Sequence, residues 1–140
     1  MAQAQTIEVQ VNALPHTQDI SIPLGDSYRK LWTLQRDTGS AAAVSLTSVT
    51  WTLIVSSQQG GTVLLTKTTD TDWTVSGIHV DSAAAGQFSV YLLAADVTTY
   101  IGVRDGAYYE VVATFPAGHA DFPGMVKTLL AGAVTVREDT

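Results

Sequence analysis

Apolar and polar residues alternate one for one along most of this chain. In the stretch 6–11, Ile7, Val9 and Val11 alternate with Thr6, Glu8 and Gln10, the pattern of a strand with one face buried. The same period recurs downstream. Tyr28, Trp32 and Leu34 share one face of 28–35, and Val49, Trp51, Leu53 and Val55 oppose Thr50 and Thr52 in 49–55. Phe88, Val90 and Leu92 line one side of 87–93, and Tyr109, Val111, Ala113 and Phe115 oppose Tyr108, Glu110, Val112 and Thr114 in 106–115. Shorter extended pieces fall at 19–22, ended by Pro23, at 62–67 and at 73–80. A last strand covers 125–136, with a bulge predicted at Gly132.

Turn residues punctuate these segments: Leu24-Gly25-Asp26, Arg36-Asp37-Thr38-Gly39, Gln58-Gln59-Gly60-Gly61 and the long connection from Pro116 to Pro123. Only 94–100 reads as a helical turn. Eight or nine strands with no longer helix between them predict an all-β, antiparallel sandwich. Its core is expected to hold Tyr28, Trp32, Trp51, Leu53, Trp73, Val75, Phe88, Val90, Tyr109 and Val111.

A length of 140 residues fits one domain. Charge changes the picture more. Charged residues make up 14% of the chain, against about 25% in an average globular protein. Thr, Ser, Gln, Gly and Ala must therefore cover the surface, a composition suited to burial against neighbouring proteins. The net charge is −6, and the seven Lys and Arg residues are scattered from Arg29 to Arg137. The adjacent pair Arg29-Lys30 points to opposite faces of its strand. Nucleic acid is thus not an expected partner. The absence of cysteine excludes disulfides and thiolate chemistry. The first residues, Met1-Ala2-Gln3-Ala4-Gln5, have neither a basic nor an apolar segment, so no signal peptide is expected. No apolar run approaches the ~20 residues that cross a bilayer, and no membrane association is expected.

Candidate chemistry is sparse. His16, His79 and His119 lie in separate segments without metal-ligand spacing. His119 and Asp121 share a loop and could hold a cation weakly, but loop polarity accounts for them better. No G-x-S-x-G elbow is present, and Val75-Ser76-Gly77 reads as strand. Asp70, Asp72 and Asp81 read as turn-capping residues. Trp32, Trp51 and Trp73 could make a sugar-stacking platform, yet each lies in the apolar phase of its strand, which favours the core. Tyr108 lies in the polar phase of its strand and, with Tyr100, is the better candidate for an exposed contact. No catalytic, cofactor-binding or metal residue is assigned, and the chain is not expected to be an enzyme.

One longer pattern is more specific. Asp19-Ile20-Ser21-Ile22-Pro23-Leu24-Gly25-Asp26-Ser27-Tyr28, followed by Leu31-Trp32-Thr33-Leu34 and Asp37-Thr38-Gly39, resembles the opening of small Ig-like domains encoded among phage and prophage tail genes. Leu46-Thr47-Ser48-Val49-Thr50-Trp51 is similar to their next strand opening, with Ser48-Val49 in place of a Gly-aromatic pair. Ala85-Gly86-Gln87-Phe88-Ser89-Val90, Tyr108-Tyr109-Glu110-Val111 and the run from Leu129 to Val136 match their later strands. The N-terminal domain of phage upper baseplate proteins belongs to this group.

The resemblance covers about residues 18–137 as a pattern of strands and turns. It implies an Ig-like sandwich at 18–140, preceded by an N-terminal arm or added strand at 1–17. It implies a virion structural protein of the tail, neck or baseplate, assembled in the bacterial host cytoplasm with other virion proteins and copies of itself. A carbohydrate- or receptor-binding module is the alternative, and a glycan ranks below protein as partner. Ile7, Val9 and Val11 in the arm, with Tyr100 and Tyr108, are the expected assembly contacts.

Overall fold

The computed structural model describes residues 6–10 by backbone alone, and residues 15–35, 43–68, 76–119 and 122–138 in full. Among the described residues ten strands form two sheets. The four-stranded sheet runs β1 (Thr6–Gln10), β4 (Tyr28–Gln35), β8 (Gln87–Leu92), β7 (Gly77–Ser82). The six-stranded sheet runs β2 (His16–Thr17), β10 (Val126–Arg137), β9 (Arg104–Thr114), β5 (Thr50–Ser56), β6 (Val63–Thr68), and β3 (Ile20–Pro23) continues beside β10 after β2.

Alternation places the core. Trp51, Leu53 and Val55 of β5 are buried while Thr50 is exposed, and Phe88, Val90 and Leu92 of β8 are buried. The sheets meet where Trp51 packs on Phe88, ring centroids 4.8 Å apart. Trp32, Tyr109 and Val111 join this cluster, and Tyr28 lies half-buried at its margin. Trp73 and Val75 lie outside the described residues, and the strand expected at 73–80 is described as β7 from Gly77 onward.

The expectation of a wholly antiparallel sandwich needs one correction. β1 runs parallel to β4, and β2 and β3 run parallel to β10. Alternation reports which face of a strand is buried and says nothing of its neighbour's direction. Hairpin partners must be antiparallel, but these three strands reach theirs through intervening elements.

Turn chemistry explains the approach to β4. Gly25 has φ +97° and no atom near its missing side chain, so conformation alone calls for glycine. The turn closes through Asp26 N–H donating to the Pro23 carbonyl at 3.0 Å. The next residue, Ser27, then accepts from Ala94 N–H at 3.0 Å. That bond helps seat the helical turn α1 (Ala94–Asp96), which continues into a π turn over Val97–Ile101. Ser76 fixes the same turn from the other side. Its hydroxyl donates to Asp96 at 2.6 Å and accepts from Leu93 N–H at 2.8 Å.

Ser48 occupies the left-handed region, φ +62°, in a turn closed by Val49 N–H to the Leu46 carbonyl at 3.2 Å. This is the position where the resembling domains carry glycine. A side chain there costs about 1 kcal/mol in an L residue. Ser48→Gly is therefore expected to raise stability by up to about 1 kcal/mol, less the entropy glycine adds to the unfolded chain. Equilibrium urea denaturation checks this, and a clear loss of stability would contradict it.

Two tyrosines are expected to make the fold sensitive to alkali. Burial pushes the Tyr28 hydroxyl up to about 12 from its usual 10.0. Burial raises Tyr109 too, with Tyr28, Asp19 and Tyr108 adding to the effect. Unfolded, both lose their protons near pH 10; folded, they hold them beyond it. Above about pH 10 the unfolded state thus binds fewer protons, and stability falls as pH rises. Below that pH the two groups contribute no slope. The thermal midpoint is expected to drop between about pH 10 and 12, and less steeply in Tyr109→Phe. An unchanged slope in that variant would remove Tyr109 from the explanation.

Candidate functional site

Sequence patterning does not reveal a cleft at one end of the sandwich, because two distant segments build it. Residues 43–49, ahead of β5, meet the connection between β9 and β10 at one end of the sandwich. Between them lies a cleft of about 410 Å³ lined by Ser45, Thr47, Ser48, Pro116, Gly118 and His119.

The β9–β10 connection is packed by its own aromatic side chains. Phe115 meets His119 and Phe122 with ring centroids 4.7 and 4.8 Å away, and the Lys127 ammonium lies 5.5 Å from the Phe122 ring. Backbone bonds close the loop: His119 N–H and Gly124 N–H both donate to the Pro116 carbonyl at 3.0 Å. His119 ties it to the opposite segment. Phe122 N–H donates to Nδ1 at 3.0 Å, so the ring proton sits on Nε2 and is donated to the Ser45 carbonyl at 2.7 Å. With both ring nitrogens engaged, the imidazole has no lone pair left to take a hydroxyl proton or bind a metal.

Among the described residues the cleft wall is hydroxyl-rich and carries no charged side chain. Ser45 donates from its hydroxyl to Thr47 Oγ1 at 3.1 Å and accepts from Thr47 N–H at 3.3 Å. Such a wall offers hydrogen bonds to a polar surface and no activated nucleophile. His119→Ala is expected to cost about 2–3 kcal/mol, because the Phe122 N–H and the Ser45 carbonyl are both left unpaired. Faster proteolysis between β9 and β10 should accompany the loss. A variant as stable as the parent would show that the tie is not structural.

The residues singled out from sequence are dispersed. Ile7 and Val9 lie in β1, opposite Trp32 and Leu34 of β4; Val11 lies outside the described residues. Tyr100 is 48% exposed on the π turn, whereas Tyr108 is half-buried on β9 between Ser56 and Ala133. The exposed apolar residues Val63, Val103, Met125 and Val126 were not anticipated. Val63 shares its phase with the buried Leu65, but a register shift at Val55 and Ser56 turns it out to solvent.

The remaining candidates have structural partners. His16 meets Trp32 edge-on at 5.5 Å, and buried His79 meets Tyr91 edge-on at 5.7 Å. Asp81 accepts from the Ser89 hydroxyl at 2.6 Å and faces Arg29 at 3.6 Å. Asp70, Asp72 and Asp121 lie outside the described residues. No group of three or more potential metal ligands occurs among the described residues.

No protein-family model matches this chain, and no curated protein matches it. Among solved structures it is similar to the N-terminal domain of phage TP901-1 ORF48, with 9% sequence identity and a TM-score of 0.55. The likeness covers 94% of this chain and 96% of that one. At so low an identity it is a likeness of fold, extending over nearly the whole of both chains.

Proposed function

We propose that this chain is a non-enzymatic structural component of a phage or prophage virion, placed in the tail, neck or baseplate. It acts by assembling with other virion proteins and with copies of itself, in the bacterial cytoplasm where particles are built. One observation carries this reading: the end-to-end fold likeness to a phage domain, with neither chain having a large unmatched part. The surface supports it, since a chain with 14% charged residues suits burial against neighbours. So does the cleft, whose hydroxyl wall suits protein contact better than chemistry.

The test is the composition of particles. Purified virions induced from the host should contain this chain at fixed stoichiometry by mass spectrometry, with cryo-EM density placing its copies around a symmetry axis. Its absence from complete particles would overturn the proposal. The alternative of a carbohydrate-binding module is weakened by the tryptophans. Trp32 and Trp51 are 1% and 2% exposed and cannot stack on a sugar without opening the core. Specific binding on a glycan array by the folded protein would nevertheless favour that module.

A further inference from the structure

Self-assembly requires a contact between copies, and the edge of the four-stranded sheet supplies the chemistry for one. Among the described residues β1 pairs only with β4, Thr6–Gln10 lying beside Leu31–Gln35 in parallel register. It can therefore leave without opening any other ladder. The chain that follows is held to the opposite sheet. His16 and Thr17 pair with β10, and Gln18 N–H donates to the Ala131 carbonyl at 3.0 Å. The Gln18 carbonyl accepts from the Tyr109 hydroxyl at 2.6 Å, and Asp19 Oδ1 accepts from Ala133 N–H at 3.0 Å. The body of the domain thus begins at His16, and β1 lies beyond it on a single ladder.

We propose that β1 of one copy docks on β4 of a neighbouring copy, in the register it occupies within one chain. This deepens the assembly reading and rests on it only for the need for self-association. Closed and exchanged forms make the same ladder, so no new complementary surface has to exist, and concentration selects between them. Copies held in one particle face each other at roughly millimolar effective concentration. Residues 11–15 span at most about 3.3–3.6 Å each, so exchange requires the sheet edges of two copies to abut. Thr6–Gln10 contains no Lys, Arg or Pro, the residues that usually guard an edge against pairing with another chain.

The chain has no cysteine, so introduced thiols report without background. Gln10 and Gln35 are register partners at the end of the ladder. Full-length Gln10→Cys and Gln35→Cys proteins, one carrying a tag, are mixed, refolded together over a concentration series and oxidised. Exchange gives a disulfide-linked heterodimer whose yield rises with concentration, and the double variant gives a covalent ladder on a non-reducing gel. A control pair, Gln10→Cys with Gln59→Cys at the exposed β5–β6 turn, should stay unlinked. The proposal is overturned if the double variant closes only on itself at every concentration, if the control pair links equally well, or if no disulfide forms. Particle composition is measured separately, so exchange and virion membership fail independently.

Discussion

Replacing Trp51 with alanine should remove about 3–5 kcal/mol of stability, a large part of the about 5–15 kcal/mol that holds a domain of this kind together. Trp51 projects from β5 of one sheet onto Phe88 of the other and is 2% exposed. Deleting its ring leaves a void at the junction of the sheets, where neither backbone can collapse without breaking its ladder. Trp51→Phe should behave differently. The indole Nε1 is buried and has no hydrogen-bond partner among the described residues. Phenylalanine removes that uncompensated N–H together with part of the ring, so the desolvation relieved offsets some of the lost packing. Its cost is expected to stay below about 2 kcal/mol. Urea midpoints of the two variants, measured with a common slope, decide the matter. An alanine variant within about 1 kcal/mol of the parent, or a phenylalanine variant equal to it, would contradict this account of the junction.

The contrast between the two substitutions shows what the sequence makes legible. That Trp51 faces inward follows from its phase in β5, where Thr50 and Thr52 take the other face. The same reasoning placed Phe88, Val90, Tyr109 and Val111, all buried as expected. The helical turn near 94–100 was also readable, and it begins at Ala94. What alternation cannot carry is anything that depends on a second segment. The parallel pairing of β1 with β4 is one example, since it rests on a partner more than twenty residues away. The cleft is another: Ser45 and His119 are ordinary loop residues until the fold sets a carbonyl 2.7 Å from an imidazole. The exposure of an expected contact residue depends on neighbouring strands in the same way. Tyr108 sits in the polar phase of its strand, yet flanking strands on both sides leave it half-covered.

Gly132 is where this limit has its largest measurable consequence, because the reason for glycine there is a neighbour that local sequence does not reveal. A glycine inside a strand predicts a bulge, but β10 shifts register on either side, between Thr128 and Leu130 and between Val134 and Val136. Gly132 itself stays in register opposite Tyr109. Its missing side chain makes room for the β2–β3 junction: a Cβ would lie 2.4 Å from the Gln18 carbonyl oxygen and 2.8 Å from its carbon. Both are backbone atoms, so no rotamer change relieves the clash. Gly132→Ala must push Gln18 outward, which also strains the bonds that Gln18 and Asp19 make to Ala131, Tyr109 and Ala133. The expected loss is about 3 kcal/mol or more, overpacking and the disrupted hydrogen bonds acting together. Because the damage centres on this junction, hydrogen exchange should rise first at His16–Thr17 and Ile20–Pro23, while β5 and β9 keep their protection. Tyr109→Phe, which removes one of those bonds and adds no clash, should cost only about 1 kcal/mol. If Gly132→Ala proved no worse than Tyr109→Phe, the close approach of Gln18 would not be what requires glycine in this strand.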